Sequence, residues 1–378
     1  MNRPLRLWNG WCIAGLLALG LAGPARAVEK LSLLTWNVAG NASTNWTTNM
    51  AQVQAIGRHL TNFQPDIVTF QEVPYTNTWQ MANLVRAYLP GYFLATNSGT
   101  DGYIRSTIAS RFPITRSQKW LDGVLLTAFG DTNRFTRDLF EAEIAVPGFN
   151  LPLHVFTTHL KSSQDSASKV RRGAEASAIS NHLVTIFLPA NSARPYVLTG
   201  DLNEDILRPP TSSQHPIQRL TNAPTGLRLT TPRNATNDER TFSTRTANFS
   251  SRYDYILPGG LLFSNVASSQ VIRSDTLTPL PSGWTTSETA IASDHAPVLM
   301  VFKNPFNTPF RLLSVSASNA FVTLRWEAAA GRQYRVEASS NLSAWTSLTT
   351  NLTATGSVFT FRTDASGPAR FFRIHRVP

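Results

Sequence analysis

One apolar run after another in this chain ends on a polar or charged side chain. "LSLLTWNV" (31–38) reaches Asn37, "PDIVTFQEV" (65–73) reaches Glu72, and "LPLHVFTTHL" (151–160) reaches His159. "PYVLTGDLN" (195–203) reaches Asp201 and Asn203, while Asp254 sits in "SRYDYIL" and Asp294 with His295 in "ASDHAPV". Short apolar runs of this kind read as buried strands. A charge at such a place is costly unless a partner or a metal compensates it. Residues two apart on an extended segment share a side, so Asp201 and Asn203 face one pocket, and Gly200 lets something approach the backbone closely. Each residue alone has a plainer reading. "TGDLN" can be a turn, because Gly, Asp and Asn are turn residues. Glu72 can pair with an arginine, His159 can be a core histidine, and Asp294 can cap. So many coincidences at strand ends favour one assembled site. Its Asn and carboxylate oxygens suit Mg²⁺, with Mn²⁺ the alternative, far better than zinc.

The runs alternate with helical patterns over residues 30–302. "MAQVQAIGRHLTNF" (50–63) places Val53, Ile56, Leu60 and Phe63 on one face, and a second helix is expected near Trp79–Tyr88. Residues 166–187 read as one long helix with Val170, Ala174, Ile179 and Leu183 at helical spacing. Further strands are expected at 102–110 and 139–146. The stretch Arg208–Ser250, rich in Pro, Thr, Ser and Asn, reads as a long surface insertion. Beyond "KNPFNTPF" only short alternating runs remain, separated by turn residues, which predicts a small all-β sandwich at 311–378. It holds no His, Asp or Glu cluster and reads as an accessory module.

At the N-terminus, Arg3 and Arg6 precede "CIAGLLALGLAG" and then "ARA", the pattern of a signal peptide over residues 1–27. A secreted or periplasmic protein is expected. Cys12, the single cysteine, lies in that leader, so a mature chain has no disulfide. No later run approaches the roughly 20 apolar residues of a membrane span. Removing the leader takes away Arg3, Arg6 and Arg26 and no acid, so a formal net charge of +11 becomes +8. A basic surface speeds encounter with polyanions without choosing among them. Nothing in the sequence asks for a second copy, and a monomer is expected.

The series "TWNVAG", "QE", "THL", "GDLN", "YDYI", "SDHAPV", in this order, resembles the endonuclease/exonuclease/phosphatase superfamily over residues 30–302. That group includes deoxyribonuclease I, apurinic endonucleases, bacterial sphingomyelinases and inositol polyphosphate 5-phosphatases. The resemblance implies an α+β fold, a four-layer α/β-sandwich of two packed, mostly antiparallel sheets flanked by helices, in a catalytic domain over 28–305. It implies that Asn37, Glu72 and Asp294 form the metal side, with Glu72 the principal Mg²⁺ ligand. Asp201 activates the attacking water, and Asn203 positions water and phosphate oxygens. His295, held by Asp254, binds the scissile phosphate, and His159 lies near the leaving oxygen. Arg137 matches a phosphate-contacting arginine. These residue types suit attack by water on a phosphate ester, with charge stabilised by metal and imidazolium.

Three substrate readings remain open. A nuclease is favoured by the basic charge and by Arg134, Arg137, Lys161, Lys169, Arg171 and Arg172 near His159 in sequence. A sphingomyelinase-like enzyme acting on phospholipid headgroups is the rival, though the long insertion shows no apolar tip. An inositol phosphatase fits poorly, lacking that family's tryptophan-cysteine-aspartate-arginine motif near "SRYDYIL". A catalytically silent adhesion protein is the reading from another class, and the intact set of site residues argues against it. The C-terminal region resembles the fibronectin-like sandwiches appended to secreted bacterial proteins, which implies attachment or spacing.

Overall fold

A computed structural model describes residues 28–40, 46–74, 78–97, 101–207, 215–222, 224–243, 248–306, 310–318, 321–349, 351–364 and 371–376. The expected leader lies outside them. Two sheets carry the first three hundred residues. The first contains β1 (Lys30–Asn37), β2 (Ile67–Pro74), β3 (Phe93–Thr96), β4 (Ile104–Ser110), β10 (Val266–Val271) and β11 (Val298–Lys303), in the spatial order β10-β11-β1-β2-β4-β3. The second runs β5 (Ile114–Trp120), β6 (Leu139–Ile144), β7 (Leu153–His159), β8 (Tyr196–Asp201) and β9 (Asp254–Pro258), in that order. Neighbours are antiparallel except for one pair in each sheet, β1 with β2 and β7 with β8. A parallel pair needs a crossover long enough to return the chain to its starting edge. Helix α1 (Ala51–Phe63) supplies it for the first pair. For the second, α3 (Ser166–His182) continues through a π-helical turn at Leu183–Phe187 into α4 (Leu188–Asn191).

Strand alternation then sorts the apolar residues into layers. Leu31, Leu33, Ile67, Ile108, Val155, Val197, Ile256 and Met300 meet between the sheets. Leu34, Trp36, Val68 and Phe70 face the other way, onto Val53, Ile56 and Leu60 of α1 and Leu84 of α2 (Thr78–Tyr88). On the far side Phe156, Leu198, Tyr255 and Leu257 pack against Ala174, Ala178 and Ile179 of α3. Each fully buried Leu, Ile, Val or Phe contributes about 1.5–3 kcal/mol over leaving it in water. The result is the helix–sheet–sheet–helix sandwich that the resemblance implies.

The structure adds elements that periodicity did not show. β3, β5 and β10 all lie at sheet edges, and β5, "ITRSQKW", is mostly exposed. An edge strand with a wet face needs no apolar run, so it reads as loop. The expected surface insertion is also partly internal. α5 (Pro216–Thr221) buries Ile217 and Leu220 beneath α3, and Thr241 and Phe242 return to the interior. Residues 208–214 and 244–247 of that stretch lie outside the described residues.

The C-terminal region is a separate all-β unit. β12 (Leu312–Ala317), β13 (Phe321–Glu327) and β17 (Val358–Asp364) form one sheet. β14 (Gln333–Ser339) pairs with β15 (Thr346–Ser347), β16 (Leu352–Thr353) and β18 (Phe371–Arg376) in the other. Leu324, Trp326, Tyr334 and Val336 are the buried centre between them. Among the described residues no helix is long and apolar enough to cross a membrane.

Candidate active site

The two parallel pairs end at the same place, and this builds the site. On β1, β7 and β8 the residues facing the opposite sheet are followed, at the strand end, by Asn37, His159 and Asp201, and the antiparallel β9 opens at the same place with Asp254. His159 and Asp201 are register partners, as are Asp201 and Asp254. Two residues earlier on β1, β7 and β8, at Thr35, Thr157 and Thr199, lies a buried polar layer that Thr69 and Gln71 of β2 complete. The Thr199 hydroxyl donates to Thr69 Oγ1 (2.9 Å), and Gln71 Nε2 donates to Thr157 Oγ1 (2.9 Å) and Thr35 Oγ1 (3.2 Å). These bonds stitch the sheets together where the apolar core gives way to charge.

Glu72 arrives differently. Alternation along β2 would turn it toward the helices, but the β2–β4 register shifts between Phe70 and Val73, and Glu72 has φ 56°. A bulge re-aims a side chain in this way, and a positive φ in a non-glycine residue is a strained state held by its surroundings. Asn203, with φ 51°, is the second such residue here. Gly200 has a different role from the one expected. Its φ is 138° and a Cβ would lie 1.9 Å from the Thr158 carbonyl oxygen, so the close approach it permits is that of β7 itself.

Asn37 sits at the centre. Its Nδ2 donates to Glu72 Oε1 (3.0 Å) and Asp201 Oδ2 (2.9 Å), joining a carboxylate from each sheet. Its Oδ1 accepts the Ala39 N–H (3.0 Å), which fixes the amide with nitrogen toward the carboxylates. Asp201 Oδ1 accepts the Asn203 N–H (2.8 Å), and Asn203 Nδ2 donates to the Leu160 carbonyl (3.2 Å). His295 Nδ1 bonds Asp254 Oδ2 (2.8 Å), and its Nε2 lies 3.7 Å from Asp201 Oδ2. The loop bearing Asp294 and His295 is tied to β1, because Trp36 Nε1 donates to the His295 carbonyl (2.8 Å) and Ser293 Oγ to the Asn37 carbonyl (2.8 Å). Asp294 is exposed at the rim.

Burial and charge divide the titratable groups. Burial, reinforced by the Asp254 carboxylate and opposed by His295, raises Asp201 to about 7. Burial alone would lower His295, but the carboxylates of Asp254, Asp201 and Asp294 outweigh it and hold the imidazolium to about 10. His159 is held well below the usual histidine range by burial and by the positive charges of Arg137, His295 and Lys161. It is therefore neutral, and both ring nitrogens are buried with no hydrogen-bond partner. Desolvation, and after it the neighbouring Glu72, push Asp294 up against the pull of His295.

Of the nine residues singled out in the sequence, Asn37, Glu72, His159, Asp201, Asn203, Asp254 and His295 come together. Asp294 borders the site, and Arg137 lies behind it: its Nη1 donates to the His159 (3.1 Å) and Leu160 (2.9 Å) carbonyls and its Nε faces Asp101 (3.1 Å). Arg172 corrects the sequence reading more sharply. It is fully buried, donating to Glu204 (3.2 Å) and to the Lys161 carbonyl (3.0 Å), so it adds nothing to a basic surface. Residues not singled out also serve the site. Glu175 accepts the Thr136 and Lys161 N–H groups (both 2.8 Å), and Thr241 Oγ1 accepts the Asp254 N–H (3.1 Å). The Phe242 ring packs 4.8 Å from that of His295. Asp138, buried against Asn97 (2.6 Å) and pushed up to about 7 by burial, opens the run "DLFEAEI".

Glu72, His159 and Asp201 offer ligand atoms all within 4.8 Å of one another, and so do Asp201, Asp254 and His295. The second group contains its own cation, His295. The first contains two carboxylates, a neutral imidazole with no partner and no positive charge. That donor set, with Glu72 18% exposed toward solvent, fits a hard divalent cation. Asp294 belongs to neither group.

A family model described as the Endonuclease/Exonuclease/phosphatase family matches residues 34–295. No curated protein matches the chain. Among solved structures, an endonuclease/exonuclease/phosphatase from Beutenbergia cavernae is similar at TM-score 0.52 and 17% identity, covering 93% of this chain and 100% of its own. One from Bacteroides vulgatus gives 0.52 and 17%, covering 73% and 99%. A humanised D. rerio TDP2 carrying 14 mutations gives 0.51 and 18%, covering 73% and 100%. At these identities the likeness is one of fold.

Proposed function

The chain belongs to the endonuclease/exonuclease/phosphatase family, whose members hydrolyse phosphoesters, and we propose that it is an exported, Mg²⁺-dependent phosphodiesterase acting on nucleic acid. The observation that carries this reading is the sharing of Asp201 between a carboxylate–imidazole group suited to a cation and a charged His295–Asp254 pair. Glu72 would hold the Mg²⁺, with Asp294 at the rim and Asn37 fixing the carboxylates. When bound, the ion supplies positive charge to the phosphate and departing oxygens.

The chain's own residues then divide the work. Asp201, poised near neutrality by burial, takes the proton of the attacking water. Asn203 braces Asp201 through its backbone N–H. His295 presents Nε2 as a charged donor to a phosphate oxygen, while Asp254 keeps the proton on the ring and fixes its orientation. His159, neutral and without a partner, lies at the opposite wall beside Glu72 and Asp201, where it can accept or return a proton at the leaving oxygen. Nucleic acid is favoured among phosphodiesters by the basic chain and by Lys161, whose charge acts on His159, whereas Arg171 faces Asp131 (4.0 Å).

The test is a substrate panel with residues 28–378. Supercoiled plasmid and single-stranded oligonucleotides should be cleaved in Mg²⁺ and sphingomyelin vesicles left intact. Release of phosphocholine without cleavage of either nucleic acid would replace the substrate class and leave the site assignment in place.

A further inference from the structure

Without the leader, most of this protein's net positive charge lies in its C-terminal region, outside the residues that build the site. Residues 311–378 contain eight arginines, no lysine and three acids, so this region carries +5 of the +8 that remain without the leader. Alternation divides the β12-β13-β17 sheet cleanly. Leu324, Trp326, Phe359 and Phe361 point to the module's core. Phe321, Thr323, Arg325 and Glu327 of β13 and Val358, Thr360, Arg362 and Asp364 of β17 form the outward face. Arg325 is opposite Thr360 and Arg362 opposite Thr323, which makes the two arginines diagonal neighbours across adjacent strands. Ser314 and Ser316 of β12 add hydroxyls on the same face, opposite Arg325 and Thr323. Arg362 lies 3.7 Å over the ring of Phe321, itself 38% exposed.

The acids nearby are few and largely engaged. Glu327, at one end, is held by Arg311 (2.6 Å and 2.9 Å), and Asp364, at the other, is opposite Phe321. Neither Arg325 nor Arg362 pairs with a carboxylate of the described residues. On the module's opposite sheet the charge is partly offset, since Arg373 (2.6 Å) and His375 (3.1 Å) share Glu337.

We infer that the outward face of the β12-β13-β17 sheet docks single-stranded nucleic acid, with Arg325 and Arg362 gripping phosphates and the Arg362–Phe321 stack receiving a base. The inference rests on the reading of the substrate as nucleic acid. Arginine suits both tasks, because its fork pairs with phosphate and its plane stacks on bases. A sheet face with hydroxyl donors and an aromatic–guanidinium platform grips a strand without reading its sequence. The module then holds a polymeric substrate while the catalytic site cuts it.

The test measures binding apart from turnover. Fluorescein-labelled oligothymidylate of twenty nucleotides is titrated in chelator with residues 28–378, with Arg325→Ser/Arg362→Ser, and with Arg335→Ser/Arg373→Ser on the opposite sheet. The first pair should weaken binding at least tenfold at low salt and flatten the log–log salt dependence by about 1.4, the value for two lost phosphate contacts on a single strand. The second pair should change affinity less than threefold. Arg325→Lys/Arg362→Lys, which keeps charge but loses the planes, should fall between. All variants should melt with the wild type and hydrolyse bis(p-nitrophenyl) phosphate at its rate. Equal losses from both arginine pairs, or none from either, would overturn the assignment. So would tight heparin binding that competes fully while Phe321→Ser leaves oligonucleotide affinity unchanged, which would mark an acidic-polysaccharide face. Failure to hydrolyse any diester would instead sink the catalytic reading, with the binding result standing on its own.

Discussion

Asp201→Ala should lower phosphodiester hydrolysis by about 10³–10⁴-fold, the upper range for loss of a general base. No other carboxylate can replace it. Glu72, on the other sheet from Asp201, is fixed to Asn37 of the neighbouring strand, and Asp254 is committed to His295. Asp201→Asn, nearly the same shape, should lose as much, and it separates chemistry from folding. Stability supplies an independent readout. Burial raises the folded pKa of Asp201 to about 7, above its unfolded value, so the folded state binds the extra proton between about pH 4 and 7. Asp201 therefore makes stability decline as pH rises through that window, and the asparagine variant should lack this contribution. Turnover within tenfold of wild type in a folded Asp201→Asn protein would remove Asp201 from the mechanism.

Asp254→Asn should cost about 10²–10³-fold near pH 8, because it removes the largest force holding the proton on His295. With Asp254 present, the imidazolium persists to about pH 10, so activity that requires it should be retained below that value and fall as pH rises through it. Without the carboxylate, burial is opposed only by Asp201 and Asp294, and the alkaline limb should move to lower pH. The stability contribution has the same sign. It is fully present below the unfolded histidine pKa and is lost as pH rises through about 10. A pH–rate profile and an imidazole NMR titration on both proteins check this. An unmoved alkaline limb in Asp254→Asn would assign that limb to another group.

How far the sequence discloses this site depends on which physical signal each residue leaves. Asn37, His159 and Asp201 were legible because strand alternation ends on them, and Asp254 because it opens one; a polar or charged residue at the edge of an apolar run is conspicuous. Glu72 was named through the motif "QE", but nothing in the run shows the bulge that turns it inward, a backbone feature with no compositional trace. Arg172 was misread as a surface cation because its partner, Glu204, is 32 residues away and charge alone carries no record of burial. Glu175 and Thr241 were invisible for the same reason. β3, β5 and β10 escaped notice because edge strands do not need two dry faces. Asn37 was expected on the metal side, and the structure makes its amide nitrogen the bridge between carboxylates, an orientation set by the Ala39 N–H.

The most direct test of the central claim is a metal titration of hydrolysis. Wild-type protein stripped with chelator is assayed on plasmid and on bis(p-nitrophenyl) phosphate as Mg²⁺ is returned, alongside Glu72→Gln. Activity should vanish in chelator and recover with Mg²⁺, and Glu72→Gln, which keeps the Asn37 contact but not the charge, should need about 10–100-fold more Mg²⁺ or fail to recover. Full activity of the stripped wild type, or identical Mg²⁺ dependence in Glu72→Gln, would contradict a cation held at Glu72 and the mechanism built around it.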